Sequence, residues 1–518
     1  WDLLGLNESL LRTIPLQTIT PERIADKKNK AELKHMLKEE AVKLCLTNED
    51  GVLLKEASRP YELLQPALGW KEIEPEIWWK QSCEAMKELL DGVDGGQIRG
   101  IGVTGQMHTL VLMNRDGEVV RPALMWNDTR TASLIPEILG AVEGTEVDYL
   151  KRIISTGSPA ANMLWVRRNE PGNFGKIKKF LIGPDYMVYR LTGVYGTDYC
   201  EASTSSMYDT VQKCWSPVMQ KILGIPDCVY PEVKGSAEIA GTLLPEVAEQ
   251  FGLNPRTVVI VGTGDNPAAS IPTGCLGKNE PVFSMGTSGV LMFRRDKLDY
   301  TAKGKNILFG FDRKHCNILV QGAIQSCGSS FSWWNLDIME RKDYGDIDSR
   351  FDPDKLGGSH VLFYPHLVGD KTIYGDPTLR GAFLGVSTDT TADDMTLAVM
   401  EGIAFALKQL SEEMHLEETG LKELKVIGGG SRSRIWMQIL ADVMGMPIAQ
   451  LGGEGGAGYG MALLASYACG EIGTIEQISD YAVRVKERFY PRERQRLQYE
   501  KIYEKYQKIH DGLKFIMG

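Results

Sequence analysis

The stretch Val258-Val259-Ile260-Val261-Gly262-Thr263-Gly264-Asp265-Asn266 reads as a short buried strand running straight into a glycine-punctuated loop that carries a carboxylate. A few residues on, Val282-Phe283-Ser284-Met285 leads into Gly286-Thr287-Ser288-Gly289 and returns as Val290-Leu291-Met292-Phe293-Arg294, a predicted strand, loop and strand. Two more copies of this grammar flank the pair. Ile98 to Val103 stops at Gly105-Gln106-Met107-His108, and Leu424 to Ile427 stops at Gly428-Gly429-Gly430. Glycine recurs at strand ends where phosphate or sugar oxygens must approach bare backbone amides, because a Cβ would block them. Side chains at such ends face a cleft. The restart of the pattern after residue 276 implies a second domain built like the first.

Length agrees, since 518 residues exceed one compact core and suit two domains of comparable size. A hydrophobic fraction of 43% with 24% charged residues excludes a disordered chain. No apolar run approaches the roughly 18 residues of a membrane span, so no membrane partner is expected. A net charge of −10 without a long basic block argues against nucleic acid as a partner. Nine scattered cysteines with no CxxC pair read as reduced thiols in a cytoplasmic protein. The seven histidines do not cluster at ligand spacing, so no protein-held metal is expected and any metal arrives with the substrate.

Between these motifs the pattern predicts a hairpin of Val42 to Thr47 and Val52 to Ala57, and a helix opened by Glu74-Pro75-Glu76. A mainly helical stretch follows over residues 129–195, ending at Leu191-Thr192-Gly193, then a serine- and threonine-rich loop through Ser206. Helices are expected over Thr391 to Met414, Ser433 to Met444 and Tyr459 to Ala465, the last entered from the run Gly452 to Gly458. Residues 22–41 have helical spacing. The expected division is an atypical segment over 1–41, a sugar-binding domain over 42–275 and a nucleotide-binding domain over 276–518, with a tight, hinge-like junction near 268–280.

Taken with Trp126-Asn127-Asp128, Pro184-Asp185-Tyr186 and Ser431-Arg432-Ser433-Arg434-Ile435-Trp436, the four glycine segments resemble the FGGY carbohydrate kinases, over about residues 42–515. The resemblance implies an α/β, two-domain, actin-like or ribonuclease-H-like ATPase fold, with ATP, Mg²⁺ and a small sugar clamped in the inter-domain cleft. It implies that Met107 and His108 touch the sugar, that Asp265 is the catalytic base, and that Asn266 holds a neighbouring hydroxyl. Gly286, Thr287 and Ser288 would hold the ATP phosphates, and Gly428, Gly429 and Gly430 would admit adenine and ribose. Chemistry supports the central assignment, because a sugar hydroxyl attacks phosphorus only when a positioned carboxylate takes its proton. Through its Met-His pair the resemblance implies phosphorylation of D-xylulose to D-xylulose 5-phosphate. Members of the family often form dimers, so a homodimer is among the expectations.

The sequence also departs from the family. Its opening glycine-rich phosphate loop, whose aspartate handles Mg²⁺, is replaced by Met36-Leu37-Lys38-Glu39-Glu40-Ala41. The chain starts on Trp1, and residues 1–41 read as either an evolved replacement or a misjoined start. Gly369-Asp370-Lys371-Thr372-Ile373 keeps the charge signs of a family loop but not its arginine and proline. Two alternatives therefore stand beside the xylulose reading: a sugar-binding relic with impaired catalysis, and a kinase for another ketose or a sugar acid.

Overall fold

The N-terminal hairpin starts earlier and runs longer than its apolar pattern suggests. In the computed structural model, which describes residues 40–225, 229–341, 345–452 and 456–517, β1 (Glu40–Thr47) pairs antiparallel with β2 (Leu53–Tyr61). Asn48 Oδ1 accepts from the Val52 amide at 2.8 Å and Gly51 takes φ +71°, which closes the turn. Residues 22–39 of the expected helix lie outside the described residues. Glu40 and Ala41 open β1 instead, because they pair across the hairpin with Tyr61 and Pro60. The centre of the run Gly452 to Gly458 also lies outside the described residues.

Helix α1 (Pro75–Leu89) begins with Pro75 in its first turn and buries Trp78, Ala85 and Leu89, while the Arg190 guanidinium lies 4.6 Å over the ring of Trp79. Strand β3 (Thr104–Gly105) leads to β4 (Leu110–Met113), which pairs with β5 (Lys179–Ile182) inside the stretch expected to be helical. Phe180, Leu181 and Ile182 are all fully buried, so this strand has apolar contacts on both faces and shows no alternation. Helix α2 (Pro184–Thr192) stops at Gly193, φ +72°.

The expected serine- and threonine-rich loop is in part a helix, α3 (Tyr199–Thr204). Asp198 Oδ1 caps it by accepting from the Glu201 amide at 2.8 Å, and all six of its residues are buried. Capping and tertiary packing override the weak helix propensity of serine and threonine. Strand β6 (Thr263–Gly264) then pairs in parallel with β3 and runs into α4 (Asp265–Ser270).

The C-terminal part is organised on one seven-stranded sheet. Its strands are β7 (Val282–Met285), β8 (Gly289–Arg295), β9 (Lys305–Gly310), β10 (Cys316–Ile324), β11 (Leu424–Ile427), β12 (Ile448–Gly452) and β13 (Arg484–Phe489), in the order β9-β10-β8-β7-β11-β12-β13. The first four pair antiparallel, β7, β11 and β12 pair in parallel, and β13 closes the edge antiparallel. Helix α5 (Ala392–Glu413) starts at a reciprocal capping box between Thr391 and Asp394. Helix α6 (Arg434–Met444) is capped by Ser433, and its fully buried Trp436 donates from Nε1 to the Met400 carbonyl of α5 at 3.1 Å. Helix α7 (Ala457–Ala468) joins the two halves. A Cβ on Gly460 would lie 2.1 Å from the Ala268 carbonyl of α4, so only glycine permits this approach. Among the described residues no helix is long and apolar enough to cross a membrane.

A buried charge network fixes the loop around Trp126. Asp128 Oδ2 accepts from the Lys71 amide at 2.7 Å and pairs with Arg130 at 2.8 Å; Arg130 also pairs with Glu72 at 2.7 Å, and Glu72 with Arg121 at 2.6 Å. The Arg130 guanidinium has no exposed surface and stacks 4.0 Å from Trp70 and 4.8 Å from Trp165. Removing Arg130 leaves Asp128 buried without its cation, while Glu72 keeps Arg121. Arg130→Met is therefore expected to destabilise the fold by about 3 kcal/mol or more. Urea denaturation checks this, and an unchanged midpoint would contradict the structural role.

Candidate active site

The parallel pairing of β3 with β6 sets Thr104 beside Thr263 and Gly105 beside Gly264, so the segments that follow each strand emerge side by side. Met107, His108, Asp265 and Asn266 consequently line one cavity of about 1100 Å³, although more than 150 residues separate the two segments. Leu44, Leu46, Leu89 and Leu253 supply apolar wall, and Trp126 also lines the cavity.

His108 takes φ +68°, an uncommon conformation for a residue with a side chain. Two contacts hold it there: its amide donates to Glu201 Oε2 at 3.4 Å, and its Nδ1 lies 3.1 Å from the Thr204 carbonyl of α3. Burial, reinforced by the charge of Lys305, pushes the imidazole down to about 3, so the ring is neutral. A carbonyl can only accept, hence Nδ1 carries the proton and Nε2 is left as an acceptor.

Asp265 Oδ1 accepts from the amide of Asn266 at 2.8 Å. Burial pushes its carboxyl up to about 6, against the opposing effects of that amide and of Lys305. The Asn266 side chain donates to Gln321 Oε1 on β10 at 3.4 Å, which ties α4 to the C-terminal sheet. Glu40 also lines the cavity and accepts from the Gln106 side chain. Burial raises the Glu40 carboxyl to about 7, with the charge of Asp265 adding to the effect.

Behind this wall lie three more carboxyls, those of Asp185, Asp198 and Glu201, all buried. Burial raises each of them, and Asp198 reaches about 6. Glu201 is wedged between the two strand ends. A Cβ on Gly264 would meet Met107 Cγ at 2.4 Å and Glu201 Oε1 at 2.8 Å, so Gly264 must be glycine for the strand ends to pack this closely.

The other glycine segments meet on the C-terminal sheet, where Ser284 of β7 pairs with Ile427 of β11. Gly286-Thr287-Ser288 and Gly428-Gly429-Gly430 leave adjacent strand ends, outside the wall of the cavity described above. Thr287 is exposed, and its carbonyl accepts from the amides of Cys327 and Ser329 at 3.1 and 3.0 Å. Gly428 takes φ +103°, and a Cβ there would lie 2.6 Å from the Met285 carbonyl oxygen.

Residues 40–272 match the N-terminal domain of the FGGY family of carbohydrate kinases, and residues 282–469 match its C-terminal domain. The chain belongs to the FGGY family of carbohydrate kinases. It shares 31% identity over 476 residues with a xylulose kinase of Bacillus subtilis, covering 92% of this chain and 95% of that protein. A xylulose kinase of Escherichia coli is 30% identical over 432 residues, 82% and 88% of the two chains. A solved structure, that of a xyloylose kinase from Brucella ovis, superposes with a TM-score of 0.81 at 27% identity, over 92% of this chain and 98% of that one.

This FGGY kinase is thus a phosphotransferase with an alcohol acceptor, built as two mixed α/β domains, with ATP as its phosphoryl donor and a small sugar as acceptor. Sequence reading of the FGGY segments reached Met107, His108, Asp265 and Asn266 because each follows an apolar strand. It did not reach Lys305, Glu201, Gln321 or a cavity-facing Glu40, whose local sequences carry no signal. Lys371 was visible only as part of a charged loop.

The carboxyls behind the wall make stability pH-dependent. The Asp198 carboxyl is raised in the folded protein, so its contribution is full below the unfolded-state value and is lost as pH rises through about 6. Asn can still accept from the Glu201 amide as a cap. Asp198→Asn is expected to shift the melting temperature upward relative to the parent at pH 8 more than at pH 5. Melting curves at both values test this, and equal shifts would contradict burial of that charge.

Proposed function

We propose that the chain transfers the γ-phosphoryl group of ATP to the terminal hydroxyl of D-xylulose, giving D-xylulose 5-phosphate and ADP. The observation that carries this reading is the meeting of the Met107-His108 turn with Asp265-Asn266 in one cavity wall. Supporting it are relatives named xylulose kinase over most of both chains.

In the reaction the sugar hydroxyl oxygen forms a bond to the γ-phosphorus while the bond from that phosphorus to the β,γ-bridging oxygen breaks, leaving ADP. The hydroxyl proton passes to the Asp265 carboxylate. A carboxyl held near 6 is mostly ionised at neutral pH and still basic enough to take that proton. Neutral His108 accepts a sugar hydroxyl proton in a hydrogen bond at Nε2, and Asn266, anchored to Gln321, orients a neighbouring hydroxyl. On this reading Gly286, Thr287 and Ser288 hold the triphosphate and Gly428 to Gly430 admit the nucleoside, both at adjacent strand ends.

Mg²⁺ suits this wall. Glu40 would hold it, because a carboxyl that burial raises to about 7 ionises beside a cation and its oxygens are hard donors of the kind the ion takes. When bound, Mg²⁺ would neutralise charge on the β- and γ-phosphate oxygens. Such a kinase, without a membrane-spanning helix among its described residues, fits a cytoplasmic location.

The test is ADP formation from MgATP with and without D-xylulose, by the parent chain and Asp265→Asn. Sugar-dependent release should fall by about 10²-fold or more in the variant. In the parent, kcat should rise with pH through about 6, since the base works deprotonated. Release that ignores D-xylulose, or survives the substitution intact, would overturn the reading.

A further inference from the structure

Two cations face the same cavity from the C-terminal part, and the chemistry derived so far uses neither. Lys305 is the first residue of β9, and Lys371 stands in the loop after Leu367; both line the wall that holds His108, Asp265 and Asn266. Among the described residues neither ammonium has a salt-bridge or hydrogen-bond partner. They are also close enough to repel, since burial first and then Lys371 lower the Lys305 ammonium from its usual range.

Both lysines are held in place by β10. Lys305 pairs across the ladder with Gln321, whose Oε1 receives the Asn266 side chain, while the Gln321 Nε2 is buried without an acceptor. Two residues further on, the Ala323 amide donates to Thr372 Oγ1 at 3.0 Å, which ties the Lys371 loop to the same strand. That loop is rigid for further reasons. Asp370 Oδ2 accepts from the Tyr374 amide at 2.7 Å, its own amide donates to the Asp376 carbonyl at 2.8 Å, and Gly369 at φ +86° packs on the Pro377 backbone. Asp265 on the same wall offsets part of the Lys305 charge, and the two ammonium groups together leave positive charge for a ligand to meet.

We infer that Lys305 and Lys371 form an oxyanion subsite for a negative group carried by the acceptor sugar. The wall shared with the lysines contains His108, Asp265 and Asn266, the residues assigned to the acceptor, so the group they meet is one the acceptor carries. Two sources share this chemistry: the phosphate ester just formed on the sugar, and the carboxylate of a sugar acid. Ammonium groups recognise either as a charge-assisted hydrogen-bond acceptor. The inference rests on reading the cavity as the sugar site.

Calorimetric titration of the full chain tests it, with D-xylulose, D-xylulose 5-phosphate and D-gluconate as probes, on the parent, Lys305→Met, Lys371→Met and Lys371→Arg. Each Met variant should bind D-xylulose 5-phosphate about 10-fold more weakly or worse, with D-xylulose within about twofold and Lys371→Arg largely restored. Loss confined to D-gluconate assigns the subsite to the carboxylate; loss of both anions assigns it to either. Unchanged anion binding in both Met variants, equal weakening of the neutral sugar, or no binding of either anion to the parent overturns the subsite. Binding needs no turnover, so the two readings fail separately. Lysine-dependent anion binding by a parent that forms no ADP with D-xylulose would defeat the xylulose kinase reading alone. Turnover of D-xylulose with lysine-independent anion binding would defeat the subsite alone.

Discussion

A two-residue parallel pairing holds the site together. Thr104-Gly105 and Thr263-Gly264 lie side by side only because the chain around them lacks Cβ atoms where the backbones approach. Gly262 takes φ +78°, and a Cβ there would sit 2.2 Å from the Val103 carbonyl. At Gly264 the atoms a Cβ would meet are instead the side chains of Met107 and Glu201. Backbone approach on this scale is open to glycine alone, and the positions of His108 and Asp265 follow from it.

The electrostatics of the cavity follow from that packing. Drawing the strand ends together buries Asp185, Asp198 and Glu201 behind the wall, where desolvation favours their neutral forms. The same enclosure keeps His108 neutral and moves Asp265 toward neutrality. The unpaired cations come from the other half of the chain, on a strand and a loop both anchored to β10. Acid and base functions thus stand on the N-terminal part and positive charge on the C-terminal part, so the contact between the halves at Asn266 and Gln321 sets their relation.

Much of the fold was legible where local chemistry is self-sufficient. The strands Val282–Met285 and Leu424–Ile427 are uninterrupted apolar runs bounded by glycine, and both form as expected. The helices that begin after Thr391 and Ser433 carry caps readable in the sequence. Reading failed where burial outvotes local preference. Helix Tyr199–Thr204 lies in a serine- and threonine-rich stretch and ends in Ser203 and Thr204, and it is stabilised by Asp198 and by complete burial. Strand Lys179–Ile182 has no alternation because both of its faces are covered.

The sequence by itself determined the family, the two-domain plan and the four glycine segments, because each is written in contiguous residues whose spacing reflects strand, loop and helix geometry. Only the tertiary structure decided that Glu201 wedges the two strand ends apart from solvent, that Glu40 opens a strand and faces the cavity, and that Lys305 and Lys371 meet beside Asn266. These groups are far apart in the chain and carry no local signature. What brings them together is strand pairing and the exclusion of Cβ atoms at close backbone contacts, and both are properties of the packed chain.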